Sequence, residues 1–165
     1  MDKQIIIDAD KCTGCKLCEM ACSLEKEGEC GTVYSRIKVI KMHNGVNMPI
    51  LCLQCEDAVC AKVCPVHAIV RDSNGALVID YALCIGCKVC FAVCPFGAIS
   101  LHPRHKKVIK CDLCDGKPVC VNYCQPKALS FERKDRADLI KKRRVAQTIY
   151  VTSHKGKVAK GSLKV

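Results

Sequence analysis

Sixteen of the 17 cysteines in this 165-residue chain fall into four groups of four. Cysteine at that density and spacing is ligand chemistry. Cys12, Cys15, Cys18 and Cys22 form a C-x2-C-x2-C-x3-C run, and Cys84, Cys87, Cys90 and Cys94 repeat it. Cys52, Cys55, Cys60 and Cys64 widen the middle interval to four residues; Cys111, Cys114, Cys120 and Cys124 widen it to five. A tight loop of three thiolates can wrap three corners of an iron–sulfur cubane, with Gly14 and Gly86 supplying freedom where the backbone turns closely. The fourth cysteine lies about one helical turn further on and points away from its own loop. In two-cluster bacterial ferredoxins that fourth thiolate serves the other cluster, so the motifs are expected in pairs. Four complete groups then predict four [4Fe–4S] clusters. Structural zinc sites are built from two C-x2-C pairs and have no use for a third cysteine at the same interval. Cys30 belongs to no group and reads as a free thiol or a packing residue.

These loops need short elements on either side. Ile5-Ile6-Ile7 and Leu77-Val78-Ile79 read as strands leading into the first and third groups. The three later groups run on as Cys64-Pro65-Val66-His67-Ala68-Ile69, Cys94-Pro95-Phe96-Gly97-Ala98-Ile99 and Cys124-Gln125-Pro126-Lys127-Ala128-Leu129. Each closes a helical turn near a proline and enters an apolar strand. The repeating unit is strand, cysteine loop, short helix, strand, which predicts an α+β, ferredoxin-like fold. The first unit departs from it after Cys22, where residues 23–32 are mostly polar. Residues 35–40 largely alternate, His43-Asn44-Gly45 offers a turn, and 46–51 return, which predicts an inserted hairpin over about 35–51. The intervals between groups allow either sequential or nested pairing; proline directly after Cys64 and Cys94 favours nesting.

The formal charge of +11 invites a nucleic-acid reading, but it is concentrated at one end. Residues 1–132 carry 16 basic and 14 acidic side chains, whereas 133–165 carry 11 and 2. In the tail, Ala137, Leu139, Ile140, Val145, Ala146, Ile149 and Tyr150 give an apolar stripe that predicts a helix over about 135–150, with Lys141 to Arg144 covering much of the rest. Beyond Thr152 the composition reads as loose. The run from Arg104 to Lys107 reads as a solvated loop, and His43, His67, His102, His105 and His154 are scattered, with no cysteine missing for a histidine to replace. There is no Ser/His/Asp constellation, P-loop or G-x-G-x-x-G, so catalytic residues are none and the chain is expected not to be an enzyme. No apolar run is long enough for an integral membrane anchor. The opening Met1-Asp2-Lys3-Gln4 has no leader character, so the expected compartment is a reducing, cytoplasmic one where disulfides are disfavoured.

Over residues 1 to about 132 the chain resembles the four-cluster ferredoxin-like subunits of multi-subunit oxidoreductases, the family of the beta subunits of dimethyl sulfoxide reductase and formate dehydrogenase. Within it, Lys11-Cys12-Thr13-Gly14-Cys15 through Gly28, Ser35-Arg36-Ile37 and Cys111-Asp112-Leu113-Cys114-Asp115-Gly116 are similar to the small electron-transfer subunit accompanying tungsten aldehyde ferredoxin oxidoreductases. The resemblance implies two pseudo-symmetric two-cluster modules. The outer one spans about 1–34 and 111–132 and the inner about 52–110, with a basic helix and tail over 133–165. It implies crossed ligation: Cys12, Cys15 and Cys18 with Cys124; Cys111, Cys114 and Cys120 with Cys22; Cys52, Cys55 and Cys60 with Cys94; Cys84, Cys87 and Cys90 with Cys64. It implies an electron relay between a catalytic tungsten or molybdenum subunit and a further donor or acceptor, a flavin subunit or a ferredoxin. The alternatives are a ferredoxin subunit of a carbon monoxide dehydrogenase, hydrogenase or formate dehydrogenase system, or a free polyferredoxin carrier. Nucleic acid is not an expected partner.

Overall fold

The computed structural model describes residues 3–43 and 45–153, and within them eight strands pair into four separate two-stranded antiparallel sheets. The strand leading into the first cysteine group, β1 (Lys3–Ile7), pairs with β8 (Leu129–Arg133), which follows the fourth group; Ile5 faces Phe131 and Ile7 faces Leu129. The hairpin β2 (Lys38–Lys41) and β3 (Asn47–Ile50) lies between the first two groups. β4 (Ile69–Arg71), after the second group, pairs with β5 (Leu77–Ile79), before the third. β6 (Ile99–Leu101) then pairs with β7 (Val108–Lys110), which enters the fourth group.

The helices are mostly single turns, α2 (Val59–Lys62), α3 (Val89–Val93) and α4 (Val119–Asn122), each carrying the third cysteine of its group. Longer than these is α1, which runs from Leu17 to Glu27, through Cys22 and into the polar stretch that follows it. Its polar second half is held by tertiary partners: Lys26 meets Asp112 at 2.7 Å, and Glu27 meets Arg36 at 2.6 Å. Gly28, at φ 69, then caps it in the left-handed region. The hairpin begins at Lys38 because buried Ser35 turns back on itself; its Oγ accepts from Ile37 N and donates to Ile37 O.

Three stretches repeat one turn. His67, Gly97 and Lys127 all have positive φ and donate from N to the carbonyls of Cys64, Cys94 and Cys124, at 3.1–3.2 Å. Each turn ends in a buried alanine, Ala68, Ala98 or Ala128, and a buried Ile or Leu. Two apolar cores result. One gathers Ile5, Ile37, Val39, Leu51 and Leu129 with cysteines of the first and fourth groups; the other gathers Ile69, Leu77, Ile99 and Val108 with cysteines of the second and third.

The C-terminal helix α5 runs Lys134–Ser153, longer than the sequence pattern predicts. The predicted apolar stripe is mostly unburied: Ala137 is fully enclosed, while Leu139, Val145, Ile149 and Tyr150 are each at least half exposed. α5 packs against β1 and β8. The loose tail read beyond Thr152 lies largely outside the described residues, as do His154 and the central Asn44 of the hairpin turn. No helix among the described residues is long and apolar enough to cross a membrane.

Candidate iron–sulfur site

The first cysteine loop turns through Gly14 at φ 73 and Lys16 at φ 61; the third repeats this through Gly86 at φ 72 and Lys88 at φ 64. A left-handed residue just before each helix swings the chain round so that the loop thiols and the first helical thiol face one space. The tight-turn role read from Gly14 has a further reason, since a Cβ there would fall 2.5 Å from Asn47 Oδ1.

Three hollows are lined by four cysteines each. One is bounded by Cys12, Cys15, Cys18 and Cys124, closed by Val39, Pro49 and Leu129. A second is bounded by Cys22, Cys111, Cys114 and Cys120, closed by Leu51, Lys26 and Arg36. The third, about 270 Å³, is bounded by Cys52, Cys55, Cys60 and Cys94 with Leu77 and Ile99. In each, three thiols come from one group and the fourth from a group distant in sequence. Of the remaining four, Cys84 and Cys87 lie beside Cys90 and add to the effect of burial in raising its thiol. Cys64 Sγ accepts from Ala68 N at 3.2 Å. Cys30 is exposed and lines none of the three hollows.

The donor set fits a multi-iron group. Burial pushes the Cys18 and Cys111 thiols up to about 12, the Glu19 carboxylate adding to it at Cys18, and burial raises Cys120 as well. Thiols shifted that way surrender their protons only to a strong positive charge such as iron. Backbone N–H groups are aimed at sulfur from Arg36 to Cys22 (3.3 Å) and from Leu113 to Cys111 (3.5 Å), the bonds that stabilise negative charge on a cluster. Among the described residues no three His, Cys, Asp or Glu side chains converge tightly enough to hold a single metal ion; the thiols ring hollows instead.

Several positioning residues escape a reading of motifs alone. Glu19 is 2% exposed and its Oε1 accepts from Val39 N at 2.7 Å, tying α1 to the hairpin. Asp112 accepts from Cys114 N and from Lys26; burial raises its carboxyl, but those donors more than offset it and hold it below the usual range. His102 is buried and stacks between Tyr34 and His105. Its Nδ1 accepts from Arg104 N and His105 N, which leaves Nε2 to donate to Glu27 at 3.2 Å. Arg104 sits in an exposed loop, as the sequence suggests, and there pairs with Glu29 and lies over Tyr34. Spacing picks out the cysteine groups; these partners come together only through the fold.

Residues 43–134 match the family model described as a 4Fe-4S dicluster domain, and residues 3–24 match one described as a 4Fe-4S binding domain. The chain is 45% identical over 84 residues to the aliphatic sulfonate oxidoreductase, polyferredoxin-like subunit, of Pyrococcus furiosus, a match covering 50% of this chain and 49% of that protein. It is 45% identical over 95 residues to the electron transport protein HydN of Escherichia coli, covering 53% of each. The chain thus spans about half the length of the curated relatives it matches. Among solved structures, a chain of the active site complex BamBC of benzoyl coenzyme A reductase aligns with TM-score 0.49 and 28% identity, over 79% of this chain and 76% of that one.

Proposed function

The chain belongs to the 4Fe-4S dicluster domain family, and from that premise we propose that it carries four [4Fe–4S] clusters and relays electrons within an oxidoreductase complex without itself catalysing a reaction. Bound clusters would supply one-electron exchange at each centre. The protein's part is to hold, space and tune them. Two centres belong to an outer module, held by Cys12, Cys15, Cys18 and Cys124 and by Cys111, Cys114, Cys120 and Cys22. Two belong to an inner module, held by Cys52, Cys55, Cys60 and Cys94 and by Cys84, Cys87, Cys90 and Cys64.

One observation carries this reading: in each of three hollows a fourth thiol arrives from a distant group, Cys124 with the first, Cys22 with the fourth and Cys94 with the second. The pairings of β1 with β8 and of β4 with β5 support it, because they draw the first group to the fourth and the second to the third. The catalytic partner we propose is a tungsten or molybdenum subunit, an aldehyde oxidoreductase by the resemblance of the first and fourth loops, with a flavin subunit or a ferredoxin on the other side. The compartment we propose is the cytoplasm.

Two measurements test this. Anaerobically isolated protein should contain about sixteen iron and sixteen acid-labile sulfide per chain, as four complete ligand sets require. Stoichiometric zinc without visible absorbance would overturn it. Untagged isolation from the native source should yield a stoichiometric tungsten- or molybdenum-containing subunit; a lone brown monomer would make the chain a free carrier.

A further inference from the structure

Between the two cores lies a closed polar bridge of buried side chains. Lys110, the last residue of β7, is 5% exposed, and its ammonium donates to the Leu77 carbonyl and, at 3.1 Å, to the Cys111 carbonyl. Gln54, 2% exposed, grips the same two residues: its Nε2 donates to Cys111 O at 2.9 Å and its Oε1 accepts from Leu77 N at 2.8 Å. Gln54 does so from the left-handed region, at φ 54, which costs a side-chain-bearing residue energy that its packing must offset.

The composition of this bridge is unusual. Among the described residues no carboxylate lies within ion-pair distance of Lys110. Carbonyl dipoles satisfy its hydrogens but leave a net buried positive charge, and a buried charge is retained where something opposite in sign stands near. The groups that stand near are thiols of two different hollows. The ammonium stands at the seam between them: Leu77, whose carbonyl it takes, lines the hollow of Cys52, Cys55, Cys60 and Cys94, and Cys111, whose carbonyl it also takes, lines that of Cys22, Cys114 and Cys120.

Resting on the four-cluster reading above, we propose that Lys110, locked by Gln54, is the electrostatic link between the inner centre of Cys52, Cys55, Cys60 and Cys94 and the outer centre of Cys111, Cys114, Cys120 and Cys22. Its fixed charge favours an added electron on either of these two centres over the other two. Reduction of either bound cluster would add one electron, with no bond made or broken and no proton moved. The partner subunits act only as one-electron donor and acceptor at the ends. A unit charge about 10 Å from a redox centre, at an effective permittivity near 20, changes its reduced-to-oxidised ratio by roughly tenfold or somewhat more.

The test is an anaerobic, dye-mediated redox titration of the full-length holoprotein, read by electron paramagnetic resonance, with Lys110→Met and Lys110→Arg. The two centres are assigned by the separate variants Cys94→Ser and Cys22→Ser. With iron content unchanged, Lys110→Met should lower two of the four potentials by about tenfold in that ratio, about 59 mV each. Lys110→Arg should hold them near wild type. If all four stay put, or all move together, the proposal is wrong. Should Lys110→Met fail to retain iron, Gln54→Glu decides: a carboxylate beside the ammonium cancels its charge and should lower the same two potentials, and unchanged potentials there refute the link. A wild-type iron count far below sixteen would instead fault the four-cluster reading.

Discussion

Replacing Glu27 by glutamine should loosen the junction between α1 and the turn joining β6 to β7. The Glu27 carboxylate takes the Arg36 guanidinium at 2.6 Å and the His102 Nε2 at 3.2 Å, and its side chain is 19% exposed against 13% for Arg36 and 4% for His102. An exposed pair is worth less than about 1 kcal/mol, and breaking a fully buried one costs about 3–5. A pair this sheltered but still wetted falls between, near 2 kcal/mol. Glutamine keeps the shape but cannot serve two donors and leaves Arg36 with the Tyr34 carbonyl as its remaining partner among the hydrogen bonds described. The variant should thus lose about 2 kcal/mol, roughly a thirtyfold change in the folding equilibrium. Anaerobic guanidinium unfolding of the iron-loaded protein measures it, followed by visible absorbance. The difference should also depend on pH. Burial raises the Glu27 carboxyl, but Arg36 and His102 prevail and hold it below the usual range. A depressed carboxylate contributes its stability above its unfolded value, about 4.3, and loses it as pH falls through the folded one. Wild type and variant should therefore differ fully at pH 6–7, above both values. A loss under about 0.5 kcal/mol at pH 7 would refute the argument.

The two corresponding glycines make a controlled comparison: Gly14→Ala meets both a left-handed φ and Asn47, whereas Gly86→Ala meets the φ alone in open space. Conformation costs each about 1–2 kcal/mol, and Gly14→Ala should lose more, bleaching faster under denaturant; equal rates would mean Asn47 simply swings away. Cys124→Ser should perturb the centre of Cys12, Cys15 and Cys18 and spare that of Cys111, Cys114 and Cys120, seen as loss of one electron paramagnetic resonance component. Loss confined to the latter centre would refute crossed ligation.

The four cysteine groups were legible from the chain alone because their intervals are those a cubane asks of its thiolates. The strands flanking the cysteine loops and the inserted hairpin were legible too, since β-branched runs next to Gly and Pro state their own boundaries. The repeat after Cys64, Cys94 and Cys124 stands in the sequence as plainly as in the three matching turns. What tertiary structure alone decided is whatever depends on a partner remote in sequence. Residues 23–27 are helical although their pattern is polar, because Lys26 and Glu27 find charges on Asp112 and Arg36. The stripe on α5 predicted a helix; that Ala137 is buried while Leu139, Val145, Ile149 and Tyr150 are at least half exposed was decided by the fold, since amphipathic periodicity records what a helix could bury and not what lies opposite. Lys110 reads in the sequence as one more cation in a basic stretch. Its burial between two sets of thiols follows from β7 entering the fourth cysteine loop beside Leu77 and Gln54, a juxtaposition of residues 33 and 57 positions apart that no local pattern encodes.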